Sequence, residues 1–107
     1  MSAIHINQNT FHRMIHQESP VLVDYWAPWC SYCRRINPAY DKIAEQYADT
    51  LTVAKVNIDE EVRLADAEGI EIIPTLVLYH KGKPLGSITA PESKAAIEQF
   101  IRDTLAQ

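Results

Sequence analysis

The stretch WAPWCSYCRRINP, residues 26–38, contains both cysteines of the chain, Cys30 and Cys33. It follows the apolar run VLVDYW, residues 21–26, which is rich in strand-forming residues. Such runs are typical of a strand that is buried on both faces of a parallel sheet. Apolar residues then recur at helical spacing after the second cysteine. The two cysteines are therefore predicted to lie where a buried strand ends and a helix begins.

The rest of the chain alternates between strand-like and helical patterns, which predicts the order βαβαβαββα. Alternating strands and helices indicate an α/β sheet with helices on both sides, and the turn at residues 81–83 is expected to add an antiparallel edge. The helix that follows the cysteines should be kinked at Pro38. Strands are expected at residues 3–6, 21–26, 51–58, 75–80 and 85–89, and helices at residues 7–15, 30–48, 60–68 and 93–105.

Composition limits the class of protein. The chain has 107 residues, of which 47% are hydrophobic and 22% charged, with a net charge of −4. This balance predicts one soluble globular domain over residues 1–107. The charge and the lack of a dense basic run argue against nucleic-acid binding, and no apolar run approaches the about 18 residues of a membrane span. The polar N-terminus resembles no secretory leader, so we expect a cytoplasmic location, where thiols are kept reduced.

The cysteine pair is expected to serve chemistry rather than stability. A domain of this size folds without disulfides, and a bond that closes so short a loop constrains the unfolded chain very little. The start of a helix favours an anion, so the pKa of the Cys30 thiol should be depressed. Cys30 is thus the predicted nucleophile, and Cys33, one turn further along and more sheltered, would resolve the mixed disulfide by thiol–disulfide exchange.

The cysteine pair could also be part of a metal site or be chemically inert. A structural zinc site needs about four ligands, and a second CxxC motif is absent. The four histidines are scattered along the sequence, so no metal is expected unless an oligomer shares its cysteines. A pair of buried, inert cysteines is the remaining alternative. We expect no cofactor other than the Cys30–Cys33 disulfide itself.

The motifs WAPWCSYC, KVNID and IIPT, followed by a GK turn, occur in the order seen in thioredoxins, which the chain resembles from residue 4 to residue 106. This resemblance implies a thioredoxin fold, an α/β architecture in which four helices flank a central mixed five-stranded sheet. It also implies a thiol–disulfide oxidoreductase that reduces protein disulfides. Its expected partners are a thioredoxin reductase and target proteins with disulfides, and the chain is expected to be a monomer.

Two charged residues are predicted in the core strands. Asp24 is a carboxyl group inside an apolar strand, so burial should raise its pKa. Lys55, in the run VAKVN, is the basic partner that the core strands offer. From the residues alone, the two could be a purely structural buried pair. The resemblance implies instead that Asp24 lies beneath the cysteines and exchanges a proton with Cys33, with Lys55 tuning it.

The resemblance also implies a docking surface for targets. The Ile73–Pro74 bond would be cis and would lie beside the disulfide. The backbone of Ile73 could then pair with an extended target segment. A shallow apolar surface is expected to include Trp29, Ile73, Pro74, Thr89 and Ala90.

The chain departs from the thioredoxin pattern between the cysteines, where Ser31 and Tyr32 replace the usual Gly-Pro. Both are expected to border the docking surface. The change frees a backbone N–H and adds a hydroxyl near Cys30, and each can stabilise the thiolate. We therefore expect a potential of roughly −250 to −200 mV, above the about −270 mV of ordinary thioredoxin. Ala90 and Pro91 also replace the common Gly-Ala, a change that either restricts the partners that dock or is a tolerated surface substitution.

Two alternative functions remain open on the sequence. A more oxidising thiol oxidase or isomerase would be recognised by its higher potential. A non-redox interaction module would hold a partner through the apolar rim and would still bind it after both cysteines were replaced by serine.

Overall fold

The structure, a computed structural model, describes residues 3–107. The element order βαβαβαββα is confirmed. None of the helices in the described range is long and apolar enough to cross a membrane. The elements are β1 (Ile4–His5), α1 (Gln8–Ile15), β2 (Val21–Trp26), α2 (Ser31–Gln46), β3 (Thr52–Asn57), α3 (Val62–Ala67), β4 (Thr75–His80), β5 (Lys83–Thr89) and α4 (Lys94–Leu105).

The strands form one mixed five-stranded sheet, as expected, and their order in it is β1-β3-β2-β4-β5. Strands β1 and β2 run parallel to β3, whereas β4 is antiparallel to both β2 and β5. The turn at residues 81–83 predicted an antiparallel pairing only at the edge of the sheet, between β4 and β5. The structure also pairs β4 with β2 in the antiparallel direction. The six residues of α3 span only about 9 Å, too little to return past a strand of about 20 Å. Strand β4 consequently starts near the end of β3 and runs back.

The local patterns gave the elements to within a few residues. Helix α3 is shorter than the expected 60–68, and its N-cap, Glu61, makes no side-chain capping bond. Gly69 follows it with a φ of +70°, a conformation that glycine adopts without strain. Helix α2 runs on through Pro38 to Gln46.

Two apolar layers cover the faces of the sheet. Strand β2 is buried along its length except at Trp26, which is half-buried, as the run VLVDYW predicted. Because side chains alternate along a strand, β2 contributes to both layers. The layer next to α2 and α4 includes Leu22, Tyr40, Leu76, Leu78, Ile97 and Ile101, and the opposite layer includes Phe11, Val23, Tyr25, Leu64, Val77 and Tyr79.

Helix α2 is fixed to the sheet by a buried tyrosine as well as by apolar packing. The Tyr40 hydroxyl lies 3.1 Å from the backbone oxygen of Leu22 and 2.7 Å from that of Ala54. These carbonyls belong to β2 and β3, so the contact joins the helix to the two central strands. The middle of α2 is thereby held against these strands.

Candidate active site

The cysteine pair lies at the first turn of α2, as predicted. Cys30 is the N-cap of the helix, and its sulfur accepts a hydrogen bond from the backbone N–H of Cys33 at 3.2 Å. The two residues form a disulfide with their Cα atoms 5.2 Å apart. Cys30 is 9% exposed and Cys33 only 3%. The expected difference, with Cys33 the more sheltered, is confirmed.

The start of α2 is suited to a negatively charged sulfur. Its first N–H groups have no partner within the helix, and the helix dipole is positive at this end. The Arg34 guanidinium donates a hydrogen bond to the backbone oxygen of Pro28 at 2.7 Å, which keeps a cation next to the pair.

The Ser31 side chain is exposed and, within residues 3–107, makes no hydrogen bond to the Cys30 sulfur. The predicted serine donor is thus not engaged in the disulfide form.

Tyr32 bridges the pair and a distant loop. Its ring is half-buried and packs against the cluster that contains both cysteines. Its hydroxyl donates a hydrogen bond to the backbone oxygen of Pro91 at 2.9 Å. The Arg35 guanidinium lies 5.7 Å from the centre of the ring. Tyr32 is therefore oriented by contacts on its ring and its hydroxyl.

Apolar side chains surround the inner side of the disulfide. Ala27, Cys30 and Cys33 form a small buried cluster, and partly buried residues pack against it. Ile73, a predicted docking residue, is one of these. The partly buried set is Trp26, Tyr32, Ile58 and Ile73.

The loop before β4 and the loop after β5 meet beside this cluster. The Ile73–Pro74 peptide bond is cis, as the resemblance implied. The backbone N–H of Ala90 donates to the backbone oxygen of Pro74 at 2.8 Å. Thr89 pairs with Thr75 across β4 and β5, and their hydroxyl oxygens lie 3.2 Å apart. Three segments distant in sequence are thus joined around the disulfide.

Among residues 3–107, Trp29 is the most exposed large apolar side chain, at 65%. Its indole N–H donates to the Asp59 carboxylate at 3.1 Å. The ring is therefore held in one orientation while its surface faces solvent.

Asp24 is buried, with 1% of its surface exposed, and pairs in register with Lys55 of β3. Burial raises the pKa of Asp24 from its ordinary 3.8 to about 7, although the positive charge of Lys55 opposes part of that rise. The Oδ1 atom of Asp24 has no hydrogen-bond partner among the described residues. The predicted upward shift in the pKa of Asp24 is confirmed.

Lys55 is also buried, but its ammonium group does not bond to Asp24. It donates to the Asn37 side chain and lies 4.4 Å from the centre of the Trp26 ring. Lys55 therefore acts on Asp24 by its charge and not through a direct ion pair. Asn37 and the Trp26 ring share in holding the buried cation.

Two residues that contact the site, Asn37 and Asp59, were not predicted from the sequence, and neither was the contact between Tyr32 and Pro91. Asn37 lies four residues after Cys33, and this spacing places both on one face of α2, so it could have been found. Asp59 directly follows the NI of KVNID but has no local signal that links it to Trp29. Pro91 is 59 residues from Tyr32, and no pattern in the sequence connects the two.

A metal site is not found in the described part of the chain. No three or more histidine, cysteine, aspartate or glutamate side chains between residues 3 and 107 are grouped so that they could hold a metal ion.

The chain is similar in sequence to several thioredoxins. The thioredoxin family model matches residues 2–103. The thioredoxin of Alicyclobacillus acidocaldarius subsp. acidocaldarius is 40% identical over 95 residues, 89% of this chain and 90% of that protein. The chloroplastic M-type thioredoxin of Chlamydomonas reinhardtii is 42% identical over 101 residues, 94% of this chain and 72% of that protein. Thioredoxin 1 of Nostoc sp. PCC 7120 is 36% identical over 105 residues, 97% of this chain and 98% of that protein. The chain belongs to the thioredoxin family, and with its Cys30–Cys33 pair it is a protein thiol–disulfide oxidoreductase.

Proposed function

We propose that the chain works in the reducing direction, with Cys30 as the attacking thiol and Cys33 as the resolving thiol. The observation that carries this assignment is the position of Cys30 as N-cap of α2, with Cys33 more deeply buried one turn along. A helix N-terminus favours the thiolate, which is the form that attacks a disulfide.

The reaction proceeds in two exchanges. The Cys30 thiolate attacks one sulfur of a target disulfide, forms a mixed disulfide and releases the other target sulfur as a thiolate. The Cys33 thiolate then attacks the Cys30 sulfur and releases the second target thiolate. The target has gained two electrons, and the Cys30–Cys33 pair has become the disulfide.

We assign Asp24 the role of accepting the proton of the Cys33 thiol before the second exchange, with Lys55 tuning it. A pKa of about 7 supports this role, because the carboxyl group can then change its proton occupancy at the pH of the cell. Replacing Asp24 with Asn should slow decay of the mixed disulfide near neutral pH. An unchanged rate of decay would exclude this role.

The proposed docking surface contains the predicted residues around the disulfide. The exposure of Trp29 and the contact of Ile73 with the cysteine cluster support it. The backbone of Ile73 would pair with an extended target segment. The full set is Trp29, Ser31, Tyr32, Ile73, Pro74, Thr89 and Ala90.

We further propose that residues 1–107 act as one domain and as a monomer in the cytoplasm, in electron transfer from a thioredoxin reductase to disulfide-bearing proteins. The redox group would be the Cys30–Cys33 disulfide, without a bound cofactor or metal. The net charge of −4 favours protein targets over nucleic acid.

The roles of the cysteines can be tested by trapping. Reduced Cys33→Ser protein should form a stable mixed disulfide with insulin, because no second thiol is present to resolve it. Reduced Cys30→Ser protein should trap little, because Cys33 is buried, and the wild type should release reduced insulin. The adducts are measured by mass spectrometry under non-reducing conditions. Equal trapping by both variants would contradict the assignment.

A further inference from the structure

Two hydrogen bonds hold the segment formed by Ala90 and Pro91 beside the active site. The Tyr32 hydroxyl donates to the backbone oxygen of Pro91 at 2.9 Å. The backbone N–H of Ala90 donates to the backbone oxygen of Pro74 at 2.8 Å. The segment is thus held from one side by the turn between the cysteines and from the other by the loop before β4.

The conformation of Ala90 indicates that these bonds are needed. Its φ is +47°, in the left-handed region that residues with a Cβ atom disfavour. An alanine stays in this conformation only where its surroundings hold it there. Pro91 is buried, so its carbonyl oxygen also needs a partner, and Tyr32 supplies one.

The Tyr32 hydroxyl is directed at this carbonyl and not at the cysteine sulfurs. The hydrogen bond to the Cys30 sulfur comes from the backbone of Cys33. From the sequence, the residues at positions 31 and 32 are expected to modify the redox potential. The geometry gives the tyrosine hydroxyl a different task.

We propose that Tyr32 is a positioning residue that determines the affinity for protein targets by holding Ala90 and Pro91 in the shape that receives the target backbone. This inference rests on the proposed function, since it presumes that targets dock on this surface. A segment that is ordered before the target arrives costs less conformational entropy on binding. A small disulfide that does not reach the segment gains nothing from this order.

The test compares Tyr32→Phe with Tyr47→Phe. The first removes only the hydroxyl and keeps the ring against the cysteine cluster. The second removes the hydroxyl of another half-buried tyrosine, the C-cap at the far end of α2. Each reduced protein is mixed with excess insulin, and the tryptophan fluorescence is followed over a range of insulin concentrations. The dependence of the rate on insulin concentration gives the half-saturation constant for insulin and the limiting rate of insulin reduction.

We expect Tyr32→Phe to raise the half-saturation constant for insulin about two- to tenfold, the range that the loss of one hydrogen bond implies. The limiting rate should change by less than about twofold, because the bond does not reach the reacting sulfurs. The rate with insulin should therefore fall relative to the rate with the small disulfide 5,5′-dithiobis(2-nitrobenzoate). Tyr47→Phe should behave as the wild type.

Two results would overturn the inference. An unchanged half-saturation constant in Tyr32→Phe would show that the hydroxyl does not govern docking. The second result is an unchanged half-saturation constant together with a change in the limiting rate of insulin reduction or in the reduced fraction of the protein in a dithiothreitol buffer. It would assign the Tyr32 hydroxyl to the chemistry of the sulfurs. If the wild type reduced neither insulin nor the small disulfide, the proposed function itself would fail, which is a separate outcome.

Discussion

Asp24 is a carboxyl group on the central strand of the sheet, and one of its oxygens has no hydrogen-bond partner among the described residues. Burial is the main cause of its raised pKa, and the Lys55 charge compensates only in part. Removing a carboxylate from water is unfavourable unless it is paired and hydrogen-bonded. Its ionised form should therefore destabilise the fold, a cost that is consistent with its proposed role in proton exchange.

Replacing Asp24 with Asn should stabilise the protein in a pH-dependent way. The folded pKa of about 7 lies above the ordinary 3.8, so the folded state holds an extra proton between these values. The stability of the wild type should accordingly fall as the pH rises from 4 to 7, whereas Asp24→Asn should lack this loss. The difference in free energy of unfolding between Asp24→Asn and the wild type should be about 2–4 kcal/mol larger at pH 8 than at pH 4. Urea unfolding at pH 4, 6 and 8 measures the difference, and a gain independent of pH would contradict the account.

Ala90 offers a second prediction for a single residue. A residue with a Cβ atom in the left-handed backbone conformation costs about 1–2 kcal/mol of stability. Replacing it with glycine relieves this strain, but the larger entropy of glycine in the unfolded chain offsets part of the stabilisation. Ala90→Gly should therefore stabilise the protein by about 0.5–1 kcal/mol. The matched control is Ala95→Gly on the exposed surface of α4, which should destabilise by about 1 kcal/mol. Thermal or urea unfolding that gave both variants the same sign would refute this reading of Ala90.

The turn between β4 and β5 packs against the end of α1. The backbone N–H of Gly82 donates to the backbone oxygen of Ile15 at 2.8 Å. A Cβ atom on Gly82 would lie 2.3 Å from Nε2 of His16, and the φ of this glycine is +84°. The hairpin and α1 thus meet at a residue that tolerates no side chain in its present geometry.

Gly82→Ala should cost more stability than Gly69→Ala. Both glycines have positive φ, +84° and +70°, so both alanines bear about 1–2 kcal/mol of backbone strain. Only the Gly82 variant also meets a neighbouring side chain, because nothing lies within 4 Å of a Cβ atom built on Gly69. Urea unfolding of the two variants isolates the contact with His16. The extra cost should shrink when His16 is also replaced by Ala, and its persistence would point to another cause.

Elements with strong local patterns could be predicted from the sequence. The run VLVDYW predicted β2, and the spacing after Cys33 predicted α2 and its cysteine-bearing start. The antiparallel direction of β4 was not predicted, because it depends on the short span of α3 and not on any pattern within β4. In the same way, Cys30 and Cys33 were evident from their spacing, whereas the contact of Tyr32 with Pro91 joins residues that only the fold brings together.

At the scale of the whole molecule, the sheet order brings three separate segments to one site. Strand β2 leads into the cysteine pair, β4 begins directly after Pro74, and β5 ends directly before Ala90. The strands β2, β4 and β5 are neighbours in the sheet, and β4 runs opposite to the other two. The C-terminal ends of β2 and β5 and the N-terminal end of β4 therefore lie on the same side of the molecule. Apolar layers on both faces hold the strands in this order. The site is therefore a product of the complete fold.

We propose that the Cys30–Cys33 pair is a reductant able to work in a reducing compartment. The redox equilibrium of the pair against a dithiothreitol or glutathione series, followed by tryptophan fluorescence, tests it most directly. We expect a potential of roughly −250 to −200 mV. A value at or below about −270 mV would refute the effect assigned to Ser31 and Tyr32, although a reductase would remain. A value above about −180 mV would rule out the reducing direction and make the protein an oxidase or isomerase.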